Sequence, residues 1–299
     1  YDPSWFESAT QGARTLSLWV GGVCMALALI PAIFCTFTNN PGNDHQQVAG
    51  KGNLKETLND FGRGIVITLR NKPFQRICIA TFLIFNAFQT VAAFSWFIIV
   101  YYMNNGDPGR AGMWPTLFGS VGALCTCFLV IPVINHAAQK YGKKITFLYS
   151  QSISLIGYIL FWWSFSPENP YLMLIPLPLF AFGIGSLFTI MMSMTADICD
   201  LDELETKQRR EGTFGAIYWW MVKLGAAFAG GASGLILSTI GFDQTVAVQT
   251  VDTLELLRLS YIAIPTIGTL IAILVMRNYD LDEQRANNIR AQLEARQAK

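Results

Sequence analysis

Charge is scarce in this sequence. Asp, Glu, Lys and Arg make up only 14% of its 299 residues, where a soluble domain carries about a quarter. Histidine is scarcer still: His45 and His136 are the only two and lie far apart, which argues against a zinc site. The six cysteines (Cys24, Cys35, Cys78, Cys125, Cys127 and Cys199) contain no C-x-x-C pair, the spacing of a metal or redox motif. Five of them sit in apolar runs and read as small hydrophobes. No G-x-x-x-x-G-K-[ST] loop occurs, which argues against an ATP-driven pump. Neither His-x-x-x-His nor a carboxylate pair falls inside an apolar run, so a membrane-embedded enzyme is disfavoured. A net charge of +1 without a basic stripe gives no footing for nucleic acid. The first residue is Tyr1 rather than Met, and Tyr1–Arg14 has no signal-peptide layout. That reads as an interior start and a fragment of a longer protein.

What is abundant is grease. Apolar residues reach 52%, with 21 Phe and 8 Trp, and mean hydropathy is +0.37. A bilayer core of roughly 30 Å needs about 20 mostly apolar residues in a helix. Seven stretches meet that length: Thr15–Phe37, Phe74–Met103, Trp114–Asn135, Ile145–Phe165, Tyr171–Met194, Thr213–Ile240 and Leu256–Met276. The expected fold is therefore an all-α membrane protein with seven transmembrane helices. Basic residues crowd alternate loops, namely Lys51–Lys72, Lys140–Lys144, Lys207–Arg210 and the tail after Arg277. Outside the N-terminal segment, the opposite loops hold only Arg110 and Arg258. The positive-inside rule then places the first set in the cytoplasm, with the N-terminus of the chain outside and its C-terminus inside.

Residues 1–38 read as the first span and 39–73 as a cytoplasmic linker. Within that linker the apolar positions of Leu54–Leu69 suggest an amphipathic surface helix. Residues 74–277 hold six further spans, and 278–299 form a cytoplasmic tail. A long linker followed by six spans is how a twelve-helix transporter joins its halves. The first span would then be the last helix of an N-terminal bundle.

Ionisable residues inside spans are the informative ones, and Lys223 is the clear case. It lies ten residues after Thr213, about 15 Å into the helix. Trp219 and Trp220 share its face at helical spacing, with Tyr218 adjoining. Aromatic planes beside a cation suit a sugar, whose C–H face stacks while its hydroxyls hydrogen-bond. The bland reading is a snorkelling lysine in an aromatic belt. Asn86, Gln89, Gln151 and Ser152 could equally touch a polar solute or join helices. The run Gly225–Gly234 reads as a helix-packing surface. A second cluster, Asp197 to Glu211, mixes six acids with Lys207, Arg209 and Arg210. It is expected to form a salt-bridge network that closes one face of the protein, its members being Asp197, Asp200, Arg209, Arg210 and Glu211.

The stretch Ala196–Asp200 through Arg209–Gly212, followed by a helix bearing Lys223 and closing in Gly234 and Ile240–Phe242, resembles the glycoside–pentoside–hexuronide:cation symporters. These form the melibiose-carrier branch of the major facilitator superfamily. Lys140–Lys144 is similar to the basic loop of that superfamily. The resemblance implies alternating access by two rocking six-helix bundles. It ties Lys223 to the cation and sugar sites, and it makes Phe188, nine residues before Asp197, an aromatic sugar contact. Trp219 and Tyr218 stand where the melibiose carrier has threonine and glutamine, which leaves the solute open between a glycoside and a sugar acid. The coupling cation, Na⁺ or H⁺, is expected at aspartates on helices outside this chain, and no cofactor is expected. The implied setting is a multi-pass protein of a bacterial inner membrane, partnered by the remaining N-terminal half of the same polypeptide. A seven-helix receptor or sensor and a lipid-transporting relative of the same family are the competing readings.

Overall fold

The computed structural model describes residues 9–38, 67–243, 246 and 248–297. The expected amphipathic helix Leu54–Leu69 lies almost wholly outside them, as does most of the linker. The chain divides into two units, Tyr1–Thr57 and Leu58–Lys299.

In the first unit, α1 runs over Ala9–Thr38. Its apolar stretch is Ser17–Pro31, which at 1.5 Å per residue reaches only about 22 Å, short of the roughly 30 Å of a bilayer core. This corrects the expected count of transmembrane helices. Among the described residues six helices, not seven, are long and apolar enough to cross a membrane.

Those six form the second unit: α2 (Lys72–Met103), α3 (Pro108–Tyr141), α4 (Lys143–Ser164), α5 (Pro170–Thr206), α6 (Glu211–Thr239) and α7 (Val251–Arg277). A shorter α8 (Glu283–Gln297) follows. Their starts are written locally. The Asn71 side chain accepts the Phe74 N–H at 3.1 Å with a proline in the first turn of α2, and Thr250 accepts the Thr253 N–H at 3.3 Å ahead of α7. Both are ordinary N-caps. Three π-helical turns interrupt the spans, at Ile98–Met103, Thr126–Val130 and Leu187–Met191.

Close crossings hold the bundle together. A Cβ on Gly157 of α4 would stand 2.6 Å from the Phe180 nitrogen of α5, and one on Gly225 of α6 would stand 2.8 Å from the Phe82 oxygen of α2. Small residues at such crossings let membrane helices approach backbone to backbone. The same crossings are sealed by polar side chains. Asn86 donates to the Gly225 oxygen at 3.4 Å, and Gln151 donates to the Gly183 oxygen at 3.0 Å and to Ser186 Oγ at 2.9 Å. Gly230, Gly231 and Gly234 have nothing within 4 Å of an added Cβ, so these three glycines of that small-residue run face open space in this unit, while Ala229 is buried. The chain is an integral, multi-pass, all-α membrane protein.

Candidate functional site

The acidic cluster is not a loop. Helix α5 continues past its apolar run to Thr206 and stops where Lys207 adopts φ 60°, its N–H donating to the Glu203 oxygen at 2.9 Å. Asp197, Asp200, Asp202 and Glu203 therefore project from a rigid helix end. Asp197 is only 5% exposed. Lys143 Nζ, at the start of α4, donates to its Oδ2 at 2.5 Å. Arg290 of α8 donates to its Oδ1 and also lies 3.5 Å from Asp200 Oδ2. Asp202 is equally buried and takes a two-pronged contact from Arg210, Nε to Oδ2 at 3.0 Å and Nη2 to Oδ1 at 2.6 Å, the strongest geometry for such a pair. Arg209 bridges Glu203, at 2.9 Å, and Glu211.

The five expected network residues thus fall into two groups. Asp197 and Asp200 join Lys143 and Arg290. Arg209, Arg210 and Glu211 join Asp202 and Glu203. The hydrogen bond to Glu211 holds the Arg209 guanidinium above its ordinary value. Burial works against the Arg290 charge, but Asp197 and Asp200 outweigh it and the group is raised. Burial, and then the charges of Asp197 and Asp280, push the Tyr279 phenol up.

Sequence reasoning missed Lys143 and Arg290 as partners of Asp197. Its signal for Lys143 was the basic loop. For Arg290 it was the spacing of Ala286, Ile289 and Leu293, which α8 buries on the side from which Arg290 reaches Asp197.

The second constellation lies halfway along α6. Trp219, Trp220 and Lys223 are all exposed in this unit, as their shared helical face requires. Phe188 sits on the π-helical turn of α5, 43% exposed, with its ring centroid 6.5 Å from that of Trp219 and 6.2 Å from that of Phe85. Tyr218 does not join this face. It is fully buried, and its hydroxyl lies 3.5 Å from the Leu187 oxygen. Among the described residues Lys223 has no ion pair. A cation with free donors beside two aromatic faces can take a polyhydroxylated or anionic solute.

Comparison with known proteins gives a consistent result. The family model described as MFS/sugar transport protein matches residues 5–283. The glucuronide carrier protein homolog of Escherichia coli (strain K12) is 26% identical over 227 residues, covering 76% of this chain and 48% of that protein. A putative sulfoquinovose importer of the same organism is 28% identical over 219 residues, 72% of this chain and 44% of that protein. The isoprimeverose transporter of Lactiplantibacillus pentosus is 22% identical over 215 residues, 72% of this chain and 43% of that protein. The chain spans about half the length of the curated relatives it matches.

Proposed function

This chain belongs to the MFS/sugar transport protein family, and on that premise we propose that its six-helix unit is the C-terminal bundle of a cation-coupled sugar symporter. The branch is that of the glycoside–pentoside–hexuronide symporters. The solute is a glycoside or sugar acid, carried by alternating access against a second bundle supplied by the rest of the protein. The observation that carries this reading is the exposed face of Phe188, Trp219 and Lys223 in the middle of helices long enough to span a membrane. A charge at that depth is costly unless it is used. Glucuronide and sulfoquinovose, named for two of the relatives, each bear a negative charge that a lysine without an ion pair would meet.

In this reading Phe188, Trp219 and Trp220 offer ring faces to the sugar, Lys223 binds its anionic or hydroxyl groups, and Tyr218 fixes the backbone from which Trp219 projects. The charged end around Asp197 faces the cytoplasm of a bacterial inner-membrane protein. There Asp197, Asp200, Arg209, Arg210 and Glu211 open and close the exit. The coupling ion, Na⁺ or H⁺, binds outside this chain.

The test is coupled uptake of phenyl β-D-glucuronide and of sulfoquinovose by the full-length protein in proteoliposomes. Lys223→Ala is expected to cut gradient-driven uptake at least about tenfold, the loss of one charge-assisted contact of about 1.5–3 kcal/mol. Undiminished uptake by that variant would remove Lys223 from the site.

A further inference from the structure

A cavity of about 470 Å³ opens between α2, α3 and α5. Its floor is apolar and buried, with Val91, Phe118, Leu177 and Phe180. Its rim is built of small residues, Ala92, Gly119 and Ala123, with the exposed Cys127. Besides the indole N–H of the half-exposed Trp96 at its rim, two hydroxyl side chains reach it, and both are already engaged. Ser95 Oγ donates to the Val91 oxygen at 2.5 Å and meets the Tyr261 hydroxyl at 3.3 Å. Thr126 Oγ1 donates to the Gly122 oxygen at 2.8 Å. A sugar hydroxyl buried on the apolar floor, away from Trp96, would lose water and find no replacement among the described residues. An apolar group would lose nothing.

Two observations join this cavity to the Lys223 face. Phe188 lines the cavity and also lies beside Trp219, the two rings tilted by 33°. The π-helical turns Thr126–Val130 and Leu187–Met191 supply Thr126, Cys127 and Phe188 to its wall. Such turns insert an extra residue into a helix and recur at functional sites. We infer that the cavity is the subsite for an apolar aglycone, so that the solute class is a glycoside whose sugar lies against Phe188, Trp219 and Lys223 and whose aryl or alkyl group enters between α2, α3 and α5. This rests on the sugar-transport reading above. The volume falls within the range of small-molecule pockets and accommodates an aromatic ring system.

The experiment compares methyl β-D-glucuronide with phenyl β-D-glucuronide on the purified full-length protein. Burial of the ring is expected to make the phenyl compound bind about ten- to a hundredfold more tightly. A Cβ on Gly119 meets nothing within 4 Å, so Gly119→Phe projects a ring into the space and is expected to bring the phenyl-to-methyl affinity ratio close to one. The phenyl compound, and not the methyl one, is expected to slow maleimide labelling of Cys127, read against Cys127→Ala. That measurement does not use Gly119→Phe and so stands whether or not that variant folds. Equal affinities, a ratio that survives Gly119→Phe, or equal protection of Cys127 by both compounds overturns the subsite while leaving the sugar reading intact. Protection by added phospholipid alone does the same and places an acyl chain in the cavity. Binding of neither glucuronide overturns both.

Discussion

Single side chains differ in how openly the sequence declares them. Lys223 is visible because it is the clear case of a charge near the middle of a long apolar run, and the structure leaves it exposed on α6. Tyr218, its near neighbour, cannot be assigned by proximity, since consecutive helical residues point about 100° apart; it turns into the core. Tyr279 gave no signal at all. Its phenol is buried without a hydrogen-bond partner among the described residues, and its pKa is raised by burial first and then by Asp197 and Asp280. The unfolded chain ionises such a phenol near its ordinary value of 10.0, while the folded chain resists doing so. Stability from this group is therefore complete below about pH 10 and falls as pH rises above it. Tyr279→Phe is expected to melt no lower than the parent at pH 7, because no hydrogen bond is lost, and to decline less steeply above pH 10. Parallel decline of both proteins from pH 9 to 11 in a thermal-shift series would show that Tyr279 contributes nothing to it.

At the scale of elements, hydropathy located the six spanning helices but not where helix gives way to loop. The expected Tyr171–Met194 becomes Pro170–Thr206, because apolarity marks where a helix leaves lipid, not where its hydrogen bonds end. Acids can continue a helix when bases on other elements neutralise them, as Lys143, Arg210 and Arg290 do here. The tail was expected only as a cytoplasmic extension, yet Glu283–Gln297 forms a helix with Ala286, Ile289 and Leu293 buried. Its long-range pairing with Asp197 is invisible to any local pattern, since the two residues are 93 positions apart. The first span failed for the opposite reason, its apolar stretch being too short.

Helix α8 is thus tied to α5 by one arginine that serves two acids. Arg290→Gln leaves Asp197 with Lys143 alone. Arg290 is 43% exposed, so solvent screens the contact and a loss of about 1 kcal/mol in stability is expected. If this end gates the exit, the turnover rate for phenyl β-D-glucuronide should change several-fold while its equilibrium affinity stays within about twofold. An affinity loss equal to the rate change would assign Arg290 to solute binding instead of gating.

For the whole molecule, an even number of spans returns α2 and α7 to the same side. Arg76 near the start of α2 pairs with Asp280 beyond the end of α7 at 2.8 Å, as that return requires. Lys143, Arg209, Arg210, Arg277 and Arg290 gather at this end too, whereas the other end of the six helices holds only Arg110 and Arg258. Arg258 is further occupied there, its guanidinium 4.3 Å from the Tyr102 ring centroid and 4.5 Å from that of Trp162. The imbalance predicts that the charged end is cytoplasmic. Glu168, exposed between α4 and α5, and Gln208, exposed between α5 and α6, sit at opposite ends of one helix and so report on opposite sides. In intact cells expressing the full-length protein, a membrane-impermeant maleimide is expected to label Glu168→Cys above the background of the native cysteines. It should label Gln208→Cys only after permeabilisation. The reverse pattern would invert the bundle and move the Asp197 cluster to the entry side, where its acids would meet an anionic solute before Lys223 could. Labelling of both sites in intact cells would mean that α5 does not cross the bilayer, and the six-span bundle would fall with it.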